Sequence, residues 1–347
     1  MLYTSAMQIY ESSFKTDIFN YPIFDEYFGG MSFCCFDIET LGLSPSRAPM
    51  ILAGFLDVDP EGTATNTQYY LDAPEDEAQL LSKTIEKLNS KDLVITYNGK
   101  SFDIPYVTKR YAMIYGKMPT IRPFDLDLYQ VVRYGSSLKD VLGGMSQKHV
   151  ERYMGVSDDR DDEISGAESV QLYQAALLET DPTVKELLTE KILLHNSDDV
   201  AQLYRILPVI KQCDIHKAFS MKGYPVRRSS LTNALIPDCL TITKNRLVSG
   251  KLKIAGTYPG EPFSYVSFPS IDRPFDVNFM TDGTFEISLT LESHSGALIS
   301  DLREFLPDPE EMSIYGGYVN GYLILKENGE PNYREINALA AKILQIV

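Results

Sequence analysis

No apolar run in these 347 residues approaches the roughly eighteen that a membrane-spanning helix requires. No internal repeat or low-complexity tract is present, which excludes a solenoid or a linker-dominated chain. Cysteine is scarce: Cys34, Cys35, Cys213 and Cys239, with no C-x-x-C. Cys34 and Cys35 are adjacent in a strand-like run, so their side chains point to opposite faces. A disulfide framework is not expected, and reduced thiols in a cytosolic protein fit better. Positive charge is also short, with 32 Lys+Arg against 48 Asp+Glu and a net charge of −16. Such a chain will not hold nucleic acid tightly through charge alone; binding would need divalent cations or a local basic stretch. The first thirty residues mix Glu11, Lys15, Asp17, Asp25 and Glu26 with aromatics. That is not the basic start and apolar centre of a secretory signal, so a cytoplasmic location is expected, with no membrane partner.

What is present is ordinary globular material, 44% hydrophobic and 23% charged, enough for two cores. The charge is uneven. Residues 1–214 hold 33 acids against 19 bases, and residues 215–347 hold 15 against 13. Within 217–253 the sign reverses: Lys217, Lys222, Arg227, Arg228, Lys244, Arg246, Lys251 and Lys253 face only Asp238. This stretch reads equally as a guide for a nucleic-acid backbone and as a surface that docks on the acidic first half.

Strands are expected at 31–38, 50–58, 67–71 and 92–98, and helices at 74–88 and 104–114. Three consecutive strands suggest an antiparallel meander, and the later strand–helix alternation suggests parallel pairing. Helical segments continue to about residue 210, broken by Gly143–Gly144 and by the charged loop at 157–166. Beyond about 215, short β-rich runs alternate with turn signals, and the chain closes on a helix over "YREINALAAKILQIV". The expected organisation is an extension over 1–30, an α/β domain with a mixed sheet flanked by helices over 31–214, and a smaller α+β domain over 215–347.

The segment "FCCFDIETLGL" at 33–43 carries two acids inside a buried-looking strand. Alternation puts Asp37 and Glu39 on one face, emerging together at the strand's carboxyl end. Two adjacent carboxylates repel, and a divalent cation such as Mg²⁺ or Mn²⁺ relieves this. An exposed edge strand with two solvated acids fits the stretch as well. In "YNGKSFDIPYV" at 97–107, Asp103 follows a strand and opens a helix, where Asp is also an ordinary helix-start residue. In "VKELLTEKILLHNSDDVAQLYRIL" at 184–207 the apolar stripe runs Val184, Leu188, Ile192, His195, Asp199, Leu203. His195 and Asp199 thus share the core-facing side, with Asp198 one step round and solvated. A structural His–Asp contact would satisfy that pair equally.

Together the D-I-E-T of Asp37–Thr40, the N-x-x-x-F-D of Asn98–Asp103 and the H-x-x-x-D of His195–Asp199 resemble the three motifs of the DEDD (DnaQ-like) 3′–5′ exonuclease superfamily. Within it, "NGKSFDIP", the "DDEISG" loop and the "HNxxD" helix are similar to the YprB-like predicted exonucleases of bacteria. The resemblance covers about residues 31–207 and implies a ribonuclease-H-like fold. It implies that Asp37, Glu39, Asp103 and Asp199 hold two divalent cations, Mg²⁺ or Mn²⁺, and that His195 is the general base. The implied substrate is DNA or RNA with a single-stranded 3′ end, met by Thr40, Leu41, Asn98 and Phe102; beyond the resemblance, which stops near 210, Arg227 and Arg228 are the substrate contacts expected if the basic stretch guides the backbone. A catalytically silent binding module on the same fold, or a ribonuclease-H-type endonuclease, would carry much of the same pattern. Lys100, Lys109 and Arg110 read chiefly as a solvated helix face, with phosphate contact the alternative, and Tyr97, Phe102 and Tyr106 fit base stacking and ordinary packing equally well.

Overall fold

The computed structural model describes residues 7–157, 164–228, 236–271 and 273–347. Residues 158–163, the middle of the charged loop at 157–166 and the first half of "DDEISG", therefore lie outside the described residues. The chain forms two compact units, residues 1–133 with 137–212, and residues 134–136 with 213–347.

The first unit is built on β1 (Met7–Lys15), α1 (Pro22–Phe28), β2 (Phe33–Thr40), β3 (Met50–Val58), β4 (Thr63–Leu71), α2 (Glu77–Leu88), β5 (Leu93–Thr96), α3 (Asp103–Tyr115), β6 (Phe124–Asp127), α4 (Leu128–Gly135), α5 (Gln147–Met154), α6 (Gly166–Leu178) and α7 (Pro182–Arg205). Its sheet has the order β1-β4-β3-β2-β5-β6. The meander β2-β3-β4 is antiparallel as expected, and β2, β5 and β6 run parallel. The central strands are buried on both faces, which is why "MILAGFL" in β3 is a continuous apolar run and not an alternating one. On one side Cys34, Phe36 and Ile38 pack with Leu80, Leu81 and Val107 from α2 and α3. On the other, Ile51, Leu52 and Tyr70 pack with Tyr173 and Ile192 from α6 and α7.

Two elements of this sheet have no counterpart in the expected strands. Residues 7–15, set aside as part of an extension, pair with β4 along nine registered positions. This edge strand exposes most of its side chains, including Ile9, so it has no apolar alternation to betray it. The other is β6, four residues long and half acidic.

The second unit contains α8 (Ile215–Lys222), then β7 (Tyr224–Arg227), β8 (Cys239–Val248), β9 (Lys251–Thr257), β10 (Tyr265–Ser267), β11 (Phe275–Phe279) and β12 (Thr284–Thr290), all antiparallel neighbours in one sheet. Ser249 and Gly250, with φ of 51° and 70°, make the two-residue turn that joins β8 to β9. A smaller sheet holds β13 (Glu292–His294), β14 (Ala297–Asp301), β15 (Tyr318–Val319), β16 (Tyr322–Glu327) and β17 (Glu330–Pro331). The closing helix α9 (Tyr333–Ile346) buries Ile336, Leu339, Ala340, Ile343 and Leu344 against α8, β7, β8 and β16. None of the four cysteines is in a disulfide. Among the described residues, no helix is long and apolar enough to cross a membrane.

Candidate active site

Strand β2 supplies the first two carboxylates. Its apolar face is fixed by the α2–α3 core, so alternation turns Asp37 and Glu39 toward α7. A bulge between Glu39 and Thr40 ends the regular pairing with β3 there. Glu39 is buried, and Thr40 donates from Oγ1 to the Gly42 carbonyl at 3.1 Å.

The third carboxylate depends on a tight turn after β5. Asn98 sits at φ 66°, a left-handed position that Asn tolerates better than most residues. Gly99 is required next to it, because a Cβ there would lie 2.3 Å from the Thr96 hydroxyl oxygen. The turn delivers Asp103 as the first residue of α3, buried, its carboxylate accepting from the Ile38 backbone N–H.

Helix α7 supplies the rest. It starts at an Asp181 cap, whose carboxylate accepts from the Thr183 N–H at 2.9 Å, and Pro182 follows at the first position. One turn apart, His195 and Asp199 reach the β2 acids. The His195 Nε2 lies 3.7 Å from Glu39 Oε1 and 3.8 Å from Asp199 Oδ2. These distances are within ion-pair range and longer than hydrogen bonds. The donor atoms of Glu39, His195 and Asp199 all lie within 4.8 Å of one another.

Electrostatics ties Asp37 and Asp103 to the same site. Burial holds the Asp37 carboxyl well above the usual carboxylate range, and the charges of Asp103, Asp199 and Glu39 push it further; a hydrogen bond from Asn196 opposes them. Burial likewise raises Asp103 to about 7. Four hard oxygen-bearing groups that repel one another in a mostly buried site are the donor set that suits Mg²⁺ or Mn²⁺.

The other sequence candidates fall into two groups. Thr40, Leu41, Asn98 and Phe102 flank the acids, and Phe102 also packs on Tyr106 with ring centroids 5.3 Å apart. Arg227 and Arg228 belong to the second unit. Arg227 is exposed at the end of β7, whereas Arg228 is buried and donates to the Leu344 and Ile236 carbonyls at 3.2 and 2.8 Å. Arg228 thus has a packing role that sequence charge does not reveal. Arg110 is likewise engaged, paired with Glu77, and Tyr97 donates to the Met145 carbonyl.

Two expectations on α7 need correction. Asp198 is buried, not solvated, and Val184 is exposed. The helix packs on the sheet and also on α6, so its buried arc near residue 198 is wider than one stripe. Its first turns lie largely exposed.

Sequence reasoning passed over Asp125 and Asp127 on β6. The Asp125 Oδ1 accepts from the Thr96 hydroxyl at 2.7 Å, and Asp127 Oδ1 accepts from the Asn98 N–H at 2.8 Å. Asp127 therefore holds the turn that positions Asp103. The signal was available: "FDLD" repeats the i, i+2 acid spacing of β2 at the end of a neighbouring strand.

These groups predict a pH dependence. Burial raises Asp125, like Asp103, to about 7 in the metal-free protein, against about 3.9 unfolded. The folded state then keeps protons that the unfolded state has released. Their stabilising contribution is complete below about pH 4 and is lost as pH rises toward 7. Thermal melts in chelator across this range are expected to show a falling melting temperature, with a shallower slope in Asp125→Asn. A slope unchanged by that substitution would contradict the assignment.

The RNase_H superfamily model matches residues 34–210. Among curated proteins, the chain is 32% identical over 108 residues to a DNA polymerase of Methanocaldococcus jannaschii, covering 30% of this chain and 6% of that protein. It is 31% identical over 124 residues to DNA polymerase 1 of Pyrococcus abyssi, covering 33% of this chain and 16% of that protein. The chain therefore spans less than a fifth of the length of these relatives. Among solved structures, E. coli exonuclease I in complex with a dT13 oligonucleotide aligns at 14% identity and a TM-score of 0.28, over 65% of this chain and 55% of that one. Another exonuclease I structure aligns at 13% and 0.32, over 66% and 56%. The family match spans just over half of the sequence and contains every residue of the acidic site, and the chain belongs to the RNase_H superfamily.

Proposed function

We propose that the protein is a metal-dependent 3′–5′ exonuclease of the DEDDh type, closest to the YprB-like group, acting in the cytoplasm on single-stranded 3′ ends of DNA or RNA. The observation that carries this reading is the convergence of Glu39, His195 and Asp199 within 4.8 Å, from a strand and a helix far apart in sequence. Asp37, Glu39, Asp103 and Asp199 would hold two divalent cations. When bound, these supply Lewis-acid stabilisation of charge at the scissile phosphate and offset the local negative charge.

The chain's own residues do the rest. His195 Nε2 takes the proton of the attacking water, and the carboxylates of Glu39 and Asp199, at 3.7 and 3.8 Å, stabilise the imidazolium that forms. Thr40, Leu41, Asn98 and Phe102 flank the acids and form the contacts to the terminal nucleotide. In this reading residues 31–214, with the edge strand β1 added to their sheet, are the exonuclease domain and 215–347 an accessory domain. Its exposed Arg227 and Arg246, with Lys244, bind nucleic-acid backbone, a role that the burial of Arg228 denies to that residue.

The test is digestion of end-labelled single- and double-stranded DNA and RNA with Mg²⁺ or Mn²⁺. Wild type is expected to release 5′-mononucleotides from 3′ ends only when the cation is present. Asp199→Asn is expected to release none, and His195→Ala to turn over slowly while still binding Mn²⁺. Equal activity in all three proteins would remove the assignment, and cleavage of circular substrates would replace it with an endonuclease.

A further inference from the structure

Residue 196 lies between the two functional residues of α7, yet nothing in the hydrolytic reading uses it. Asn196 is completely buried. Its Nδ2 donates to Asp37 Oδ2 at 3.1 Å, and its Oδ1 accepts from Gln68 Nε2 at 2.9 Å. Gln68 Nε2 also donates to the Leu193 carbonyl at 2.8 Å.

That last contact fixes the direction of both amides. A backbone carbonyl only accepts, so the group of Gln68 that faces α7 must be its nitrogen. Asn196 must then turn its oxygen to Gln68, which leaves its nitrogen for Asp37. The carboxylate consequently meets a donor and not a second oxygen.

The sheet is shaped for this amide. Asp37, Gly54 and Gln68 are lateral neighbours on β2, β3 and β4, forming one row across three strands. The middle member has to be glycine, since a Cβ at Gly54 would lie 2.0 Å from Asn196 Oδ1. The Asn196 side chain thus lies across Gly54, with Asp37 at one end and Gln68 at the other. A separate latch lies alongside, where Asn66 Nδ2 donates to Ser197 Oγ at 2.7 Å. Asn66–Ser197 and Gln68–Leu193 hold α7 on the sheet without Asn196.

We infer that Asn196 is a positioning residue for the cation site: its amide, oriented by Gln68 over the gap left by Gly54, fixes the rotation of the Asp37 carboxylate. The inference rests on the proposed metal-binding role of Asp37 and deepens it. A supporting partner of this kind typically accounts for 10–100-fold in metal affinity.

The experiment is Mn²⁺ titration calorimetry on the full chain, with thermal melts in chelator. Asn196→Ala is expected to bind Mn²⁺ about 10–100-fold more weakly than wild type. Asn196→Leu, which keeps the volume over Gly54 and removes the donor, is expected to do the same and serves if the alanine variant is too unstable. Ser197→Ala removes the neighbouring latch; it is expected to lower the melting temperature and leave Mn²⁺ affinity unchanged. If wild type binds Mn²⁺ and a folded Asn196 variant matches it, the positioning role is wrong and the metal reading survives. If wild type binds no Mn²⁺, both are wrong.

Discussion

Asp37→Asn is expected to lower metal-dependent hydrolysis by on the order of 10³-fold or more while raising the melting temperature of the metal-free protein. The two effects share one cause. Asp37 is held in a site where burial and the charges of Asp103, Asp199 and Glu39 all oppose its ionisation. A neutral amide of the same shape removes those repulsions and so stabilises the empty fold. It also removes a hard anionic oxygen, which the proposed cation site needs. Activity and stability should therefore move in opposite directions, as they do where a functional site is kept at a cost to the fold. Chelator melts of both proteins, beside the nuclease assay, check this. A variant that loses activity together with stability would indicate a structural role for Asp37 and count against the site.

Glu77→Ala is expected to destabilise the protein by about 3–5 kcal/mol, the usual cost of breaking a buried ion pair by removing one partner. Glu77 Oε1 accepts from Arg110 Nε at 2.7 Å and from the Met50 N–H at 2.8 Å, and Oε2 pairs with Arg110 Nη2. Side-chain exposure is 14% for Arg110 and 4% for Glu77, so solvent would not replace the lost partner. The same cluster closes the loop that follows Glu39. Arg110 Nη1 donates to the Pro45 carbonyl at 3.1 Å, and the Tyr106 hydroxyl lies 2.8 Å from the Gly42 and Ala48 carbonyls. Urea unfolding measures the loss. A change below about 1 kcal/mol would place this pair with exposed ones, which contribute little.

Much of the first unit was legible because its signals are local. Strands β2 to β5 and helices α2 and α3 follow from apolar patterning, although β4 begins at Thr63, four residues before the expected start, and β5 ends at Thr96, two before the expected end. The three acidic motifs were legible for a related reason: a carboxylate in an apolar segment stands out against its neighbours. Strand β1 was not legible, since an edge strand with solvated side chains carries no alternation. Nor was β6, whose four residues are too few to show a period.

The sequence by itself determined which residues could do chemistry and which face of each element they share, because alternation in β2 and the i, i+4 spacing in α7 are properties of the backbone. Only the tertiary structure decided what those faces meet. It placed Glu39 against His195, turned Asp127 to the Asn98 turn, withdrew Arg228 into packing and laid Asn196 across Gly54 between Asp37 and Gln68. These pairings join residues distant in the chain, and their energy comes from burial and charge in a shared volume, which no stretch of sequence contains.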